Sequence, residues 1–428
     1  MSMSKCENKK YICIDLKSFY ASVECAELGL DPFTTNLVVA DVERTKGTVC
    51  LAITPAMKKL GIRNRCRLFE IPKNIEYITV KPRMNLYMKK SAEIYSIYLK
   101  YIAPEDIHVY SVDECFIDVT DYIKLYDMSA LEIAKMLIKD VMKSTKIPAS
   151  AGIGDNLFLA KVALDITAKH SEDSIGILDL ETFKKTMWYY KPITDIWSIG
   201  DGIANRLKKY GVHDLYGIAH MDESILYREF GVNAELLIDH SKGIEPCTIN
   251  DIKSYVSKNS SLSHSQILPC DYAFEDALIV LKEMVEKIVL ELIENKLVTN
   301  NISLSISYSR NINIKATGGS RKLSLYTNSV KNLMKNFEDF YLETVSKNLP
   351  IRKISVGLNN VVNEIYKDYD LLSDIGMENK EYALQGVVID IKKRYGKNSI
   401  LRGMSYQKNA TGRERNKMVG GHNGGEDD

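Results

Sequence analysis

Three carboxylates stand where carboxylates are expensive to keep. Asp15 ends the apolar run Tyr11-Ile12-Cys13-Ile14, and Asp113-Glu114 lies between apolar stretches at residues 108–112 and 115–119. An ionised carboxylate at the end of a buried strand loses solvation unless something pairs with it, and several that converge need cations. Mg2+ meets that need with oxygen ligands, usually one or two carboxylates, while substrate phosphates complete its octahedron. Two such ions can stabilise both the attacking and the leaving oxygen of an in-line phosphoryl transfer. An Asp-Glu pair in a hairpin turn is also an ordinary surface feature, so the surrounding residues decide between the readings.

The elements that must hold these groups are legible from the pattern. Residues 11–15 read as a buried strand, followed by a helix with Ser18 as its cap. Residues 36–40 and 47–53 are strand-like, and Thr54-Pro55 opens a helix that Gly61 stops. Residues 84–101 have helical periodicity, and residues 108–119 form a strand pair turning at Asp113-Glu114. An amphipathic helix at 131–142 and a strand at 149–153 follow. This alternation indicates a sheet with helices packed on it, an α+β fold. Residues 180–240 read as short helices with tight turns. A lysine- and serine-rich strip at 251–265 then leads into a second α+β unit. There Ile302-Ser303-Leu304-Ser305-Ile306-Ser307-Tyr308 alternates with period two, apolar side to a core and serines outward. Residues 404–428, rich in Gly, Asn, Arg and Lys, are expected to order only when bound.

Composition narrows the class. At 428 residues, 45% hydrophobic and 26% charged, the chain is globular and long enough for several domains. The polar opening residues do not resemble a signal peptide, and no run of about 18 apolar residues occurs, so a cytoplasmic protein without a membrane partner is expected. The eight cysteines, Cys6, Cys13, Cys25, Cys50, Cys66, Cys115, Cys247 and Cys270, form no C-x-x-C pair, which points to reduced thiols. Net charge is only +1, but it is unevenly spread. No acid falls between Glu294 and Glu338, where Lys296, Arg310, Lys315, Arg321, Lys322, Lys331 and Lys335 lie. Residues 391–419 hold nine lysines and arginines against Glu414. Clustered positive charge is the footprint of phosphate binding, and equally of a solvated face.

The longer motifs separate these readings. Asp15-Leu16-Lys17-Ser18-Phe19-Tyr20-Ala21-Ser22-Val23-Glu24 resembles the first catalytic motif of Y-family DNA polymerases. Ser111-Val112-Asp113-Glu114-Cys115-Phe116-Ile117-Asp118 resembles the second. Their order and separation fit the family, and the chain is most similar to its UmuC-like (ImpB/MucB/SamB) branch. By that resemblance Asp15, Asp113 and Glu114 are catalytic. Asp15 and Asp113 hold two Mg2+ ions, with Mn2+ as a substitute; Glu114 holds the ion that activates the primer 3′-hydroxyl, and the Leu16 carbonyl completes a shell. Phe19 and Tyr20 line the nucleotide pocket. Tyr20 matches the steric gate, whose ring lies under the sugar and leaves no room for a 2′-hydroxyl.

The resemblance reaches further along the chain. Thr54-Pro55-Ala56-Met57-Lys58-Lys59-Leu60-Gly61-Ile62 resembles the fingers helix of the UmuC branch, with Lys58 on the triphosphate; Pro55 and Ala56 depart from its pattern. Gly152-Ile153-Gly154-Asp155-Asn156-Leu157-Phe158-Leu159-Ala160-Lys161 resembles a third motif, whose lysine also binds triphosphate. Ile196-Trp197-Ser198-Ile199-Gly200-Asp201-Gly202 resembles a helix-hairpin-helix, in which Gly200 and Gly202 turn N–H groups toward a DNA phosphate and Arg206 and Lys208 follow. Arg310, Lys315, Arg321 and Lys322 would add further DNA contacts.

The implied architecture is a right hand. Residues 1–30 and 79–170 form the palm, 31–78 small fingers, 171–247 a helical thumb, 252–360 an α+β little finger and 361–428 a UmuC-like tail. The implied activity is template-directed, error-prone synthesis past damaged bases in an SOS-type response, with primed template DNA and dNTPs as substrates. A sliding clamp, a UmuD-type subunit and a recombinase filament are partners of UmuC relatives. For the clamp, Tyr369-Asp370-Leu371-Leu372 lacks the glutamine and terminal aromatic of the usual peptide. Two rivals stand beside this reading: a palm-like nucleotide cyclase, and a DNA-binding protein that has lost catalysis.

Overall fold

The computed structural model describes residues 9–43, 47–257, 260–368 and 375–425. The chain divides into two units, Met1–Tyr255 with Asn423–Asp428, and Val256–His422.

The first unit opens with β1 (Tyr11–Leu16), α1 (Phe19–Glu27), β2 (Leu37–Val39), β3 (Ala52–Ile53), α2 (Pro55–Lys59), β4 (Ile78–Val80) and α3 (Met84–Tyr98). It continues through β5 (Ile107–Val109), β6 (Glu114–Asp118), α4 (Thr120–Tyr126), α5 (Ala130–Thr145), β7 (Ala149–Gly154), α6 (Leu157–Asp165) and β8 (Ile175–Leu178). The main sheet has the order β5-β6-β1-β7-β8, so β1 is central and pairs antiparallel with β6 and β7. A small sheet, β3-β2-β4, lies between α1 and α3 in the chain. Thr54 caps α2 by accepting from the Met57 N–H, Pro55 takes the first helical position, and Gly61 adopts φ +82°, as the sequence predicts.

Two local expectations are corrected. Ser18 is the N-cap residue of α1, but it sits in the left-handed region (φ 51°) with no side-chain cap bond, and its hydroxyl is buried without a partner. The chain thus reverses sharply after β1, at a backbone conformation uncommon for a non-glycine residue. Glu114 begins β6 and is not part of the turn, because its carbonyl accepts from both the Tyr110 and Ser111 N–H groups at 3.0 Å.

Helix α6 is buried along nearly its whole length, from Leu157 to Leu164. One side meets the sheet. The other joins a core shared with α7 (Leu180–Thr186), α8 (Asp201–Lys208), α9 (Leu215–Ala219), α10 (Glu223–Phe230) and α11 (Asn233–Ser241), through Phe158, Val162, Phe183, Leu207 and Leu237. A helix covered on both sides is apolar nearly all round, and here the exceptions are the paired Lys161 and Asp165. Gly152 and Gly154 explain its closeness to the sheet: a Cβ on Gly152 would lie 2.1 Å from the Ala160 carbonyl oxygen, and one on Gly154 2.4 Å from the Ala160 nitrogen. Helix α12 (Ile249–Ser254) ends the unit's continuous part.

The second unit contains β9 (Leu262–Tyr272), α13 (Phe274–Glu294), β10 (Leu297–Tyr308), β11 (Thr317–Thr327), α14 (Val330–Thr344), β12 (Ile351–Asn359), β13 (Val362–Asn363), α15 (Ile375–Tyr395), α16 (Gly412–Asn416) and β14 (Met418–Val419). Its sheet runs β11-β10-β12-β9. Ile302, Leu304, Ile306 and Tyr308 are buried against α13 and α14, as the period-two pattern requires.

The expectation of a tail ordered only on binding is overturned for its described residues. Buried Glu283 accepts the Thr411 and Gly412 N–H groups at 2.9 and 2.8 Å, and Arg415 donates to Gln266 at 2.8 Å. A Cβ on Gly412 would lie 2.5 Å from Glu283 Oε1, so the glycine admits this contact. The low-complexity look of the segment reflected its turns and charges; the partners that fix it are far away in sequence. Residues 369–372, compared above with a clamp peptide, lie outside the described residues.

Candidate active site and nucleic-acid interface

Strand register brings the acids together. Asp15 on central β1 faces Glu114 on β6, and the Leu16 N–H donates to the Asp113 carbonyl at 2.9 Å. Ser111 Oγ donates to Asp113 Oδ1 at 2.6 Å and orients that side chain. Burial pushes the Asp15 carboxyl up to about 7, and the charges of Asp113 and then Glu114 add to the shift, with Lys161 opposing them. Three neighbouring carboxylates that crowd one another offer oxygen ligands of the kind a hard dication takes. Among the described residues no three His, Cys, Asp or Glu side chains close into a complete ligand set. An ion that keeps water and substrate oxygens needs only one or two carboxylates.

Lys161, the lysine of the third motif, is ion-paired in this structure. Its ammonium lies 2.8 Å from Glu114 Oε1 and 3.0 Å from Asp165 Oδ1, with its side chain about as buried as Glu114's. Burial works against its charge, but the Glu114 hydrogen bond and the Asp165 carboxylate outweigh that and raise its pKa. Cys13 Sγ completes the surroundings, donating to Glu114 Oε1 at 3.1 Å. The close seating of α6 on Gly152 and Gly154 is what delivers Lys161 to this position.

Other cations surround Asp15. Desolvation lowers the pKa of Lys17, Asp15 opposes that, and Lys58 lowers it further. Lys58 is likewise lowered by desolvation, supported by Asp15 and repelled by Lys169. The Lys58 side chain is solvent-exposed. Lys17 and Lys58 thus both feel Asp15 and each other, and Lys169 adds positive charge near Lys58, charges that could meet a polyphosphate. The motifs flagged only Lys58 of the three; Lys169 follows α6 with no periodic or capping signal.

Phe19 is buried, and Tyr20 is half-buried with its ring 5.7 Å from Phe19. The Tyr20 ring stacks on Tyr87, centroids 4.6 Å apart and planes at 19°. Burial raises the Tyr20 phenol, Asp113 raises it further, and Arg65 opposes both, which places the hydroxyl within electrostatic reach of the acidic cluster.

The DNA-contact candidates divide. Gly200 is the N-cap residue of α8 with φ −90°, and a methyl added at Gly200 or at Gly202 would meet no atom within 4 Å, so the helix start is left uncovered. Lys208 is exposed, but Arg206 lies 4.3 Å over the Phe230 ring and 3.4 Å from Glu229. In the second unit Arg310, Lys315 and Lys322 are exposed. Arg321 is turned to the helix side: it registers with buried Ile302, pairs with Glu343 and lies 4.4 Å over Phe340. The opposite sheet face shows an ordering that the sequence alone does not reveal. Ser265, Ser355, Ser305 and Gly318 align across β9, β12, β10 and β11, with Ser263, Gly357, Ser303 and Ser320 as the adjacent row. Lys322 opposite Asn301 and Lys353 opposite Ser307 flank this small-residue surface.

Comparison with known proteins agrees with the geometry. Residues 14–165 match the impB/mucB/samB family and residues 259–371 its C-terminal domain. The chain is 30% identical to UvrX of Bacillus subtilis strain 168, over 98% of this chain and 99% of that one. It is 29% identical to DNA polymerase IV 2 of the same organism, over 97% and 99%. Among solved structures, a Y-family DNA polymerase chimera of Dbh and Dpo4 shares the fold, with TM-score 0.64 and 21% identity, over 83% of this chain and 99% of that one. No helix among the described residues is long and apolar enough to cross a membrane. With paired family domains, full-length relatives and carboxylates gathered beside Asp15 of the central strand, the chain belongs to the impB/mucB/samB family and is a UmuC-like, Y-family translesion DNA polymerase.

Proposed function

We propose that this chain extends primers past damaged template bases with low fidelity, by a two-metal-ion nucleotidyl transfer centred on Asp15, Asp113 and Glu114. The observation that carries the proposal is the register of Asp15 with Glu114, beside Asp113, under a shared excess of negative charge. Asp15, Asp113, Glu114 and the Leu16 carbonyl would hold Mg2+, or Mn2+ in its place. Bound there, the ions would lower the pKa of the primer hydroxyl and neutralise the phosphates. Lys17, Lys58 and Lys169 would bind the triphosphate, Phe19 and Tyr20 would bracket the sugar, and Lys161 would hold Glu114 in place.

The hand takes the boundaries of the sequence reading: palm at 1–30 and 79–170, fingers at 31–78, thumb at 171–247 and little finger from 252. The tail begins at 361 in the chain, although α15 and α16 share the core and hydrogen bonds of the second unit. In the first unit the α8 start, and in the second unit the serine rows, where small side chains let a phosphate backbone approach, would each offer a surface for DNA. An SOS-type role, and association with a clamp, a UmuD-type subunit or a recombinase filament, belong to the same proposal through the family.

Primer extension by the purified chain on undamaged and abasic templates, with Mg2+ and dNTPs, tests the reading. Extension across both supports it. Primed DNA bound without any extension, even with those partners supplied, would favour a binding protein that has lost catalysis.

Two further outcomes are expected. Asp15→Asn removes the charge most crowded by Asp113 and Glu114, so the metal-free variant should melt higher by about 2–6 °C, corresponding to roughly 1–2 kcal/mol. Mg2+ should then raise the melting temperature of the wild type more than that of the variant, as binding linkage demands; calorimetry checks both. For DNA, about five phosphate contacts would cost roughly 10²–10³-fold in affinity between 50 and 200 mM salt. Lys322→Ala should reduce the salt slope by about one, whereas Arg321→Ala should leave it unchanged. Equal slopes for the two variants would contradict the assigned faces.

A further inference from the structure

Helix α3 starts without a side-chain cap. Arg83 is its N-cap residue and supplies no cap hydrogen bond. The N–H of Asn85, one of the donors a helix start leaves over, donates instead to the Gly424 carbonyl at 2.9 Å. Gly424 is buried there. Asn423 Oδ1 accepts the Gly425 N–H at 2.8 Å, a local turn that shapes the segment. Gly425 has φ +88°, and a Cβ on it would lie 3.3 Å from Arg83 Cβ and 3.4 Å from Arg83 Cα. Residues 423–425 therefore rest on the backbone and side-chain stem of Arg83.

Arg83 in turn supports the nucleotide pocket. Its Nε and a terminal nitrogen meet the two oxygens of Glu24 at 3.1 and 2.5 Å, and Glu24 is only 1% exposed. Glu24 Oε1 also accepts the Tyr87 hydroxyl at 2.6 Å. Fully buried Tyr87 carries the ring on which Tyr20 stacks. A buried carboxylate needs its partners held in good geometry, so the orientation of Tyr87 depends on that of Arg83.

We propose that residues 423–425 act as a strap that fixes Arg83, Glu24 and Tyr87 and thereby the tilt of Tyr20, making them positioning residues for selection of the nucleotide sugar. The inference rests on the reading of Tyr20 as the sugar gate. Without the strap the guanidinium clamp loosens, the Tyr87 ring gains freedom, and the gate closes less firmly on a 2′-hydroxyl.

The test compares ribonucleotide with deoxyribonucleotide incorporation by the full chain, by a chain ending at His422, and by Gly425→Val, Asn423→Ala and Tyr20→Ala. Coupling through a packed network should raise the ribonucleotide share about tenfold in the shortened chain and in Gly425→Val. A few-fold rise is expected for Asn423→Ala, which removes only the turn's acceptor and carries the test should the shortened chain fail to fold. Primed-DNA affinity should stay within about twofold, which a general loss of folding would not allow. Adding Asn423→Ala to Tyr20→Ala should change the ratio no further. A raised ratio in Tyr20→Ala with wild-type ratios in every strap variant would overturn the strap. An unchanged ratio in Tyr20→Ala would overturn the gate reading itself.

Discussion

Replacing Asp113 by alanine is expected to lower primer extension at least about a thousandfold, because charge stabilisation of a phosphoryl transfer has no substitute once a ligand is lost. In the proposed metal site Asp113 would be held by Ser111 Oγ at 2.6 Å and by the hydrogen bond from the Leu16 N–H to its own carbonyl. The backbone bond survives the substitution, so the loop should keep its shape and primed-DNA affinity should stay within about threefold. Asp113→Asn provides the second arm: it keeps the hydrogen bond from Ser111 and removes only the charge, and it should be nearly as inactive. Single-turnover extension and DNA binding, measured on the same preparations, distinguish chemistry from binding. Extension within about tenfold of wild type in both variants would remove Asp113 from the metal site.

Tyr20→Ala is the second large effect. The ring stacks flat on buried Tyr87, so in the proposed gate role it would be braced from behind and would not yield to an added hydroxyl on the sugar. Removing it should raise the ratio of ribonucleotide to deoxyribonucleotide incorporation about a hundredfold, equivalent to about 2.7 kcal/mol. Tyr20→Phe keeps the ring and should keep the ratio near wild type, since bulk rather than the phenol excludes the hydroxyl. A ratio that rises in Tyr20→Phe as much as in Tyr20→Ala would instead assign selection to a hydrogen bond from the phenol, which lies within electrostatic reach of Asp113 and Arg65.

Asp15, Asp113 and Glu114 were legible because local pattern carries them. A carboxylate at the end of an apolar run and another pair between two such runs stand out without any knowledge of contacts. Thr54, Pro55 and Gly61 marked the bounds of α2, and the alternation from Ile302 to Tyr308 assigned a buried and an open face to β10, since caps, turns and period-two patterns are properties of neighbouring residues.

Which partner a side chain finds was decided elsewhere. Lys161 carries the same charge as Lys58, yet the seating of α6 on Gly152 and Gly154 ties it to Glu114, while Lys17, Lys58 and Lys169 gather from three separate segments. Arg321 and Lys322 are adjacent in sequence but face opposite sides of their sheet, because a single step along a strand reverses the side chain. The segment around Thr411 looked unstructured until Glu283 supplied a buried acceptor for it. Sequence alone therefore determined the kinds of element and the acids that end them; tertiary structure decided the pairings, since these depend on strand register and helix seating between residues distant in the chain.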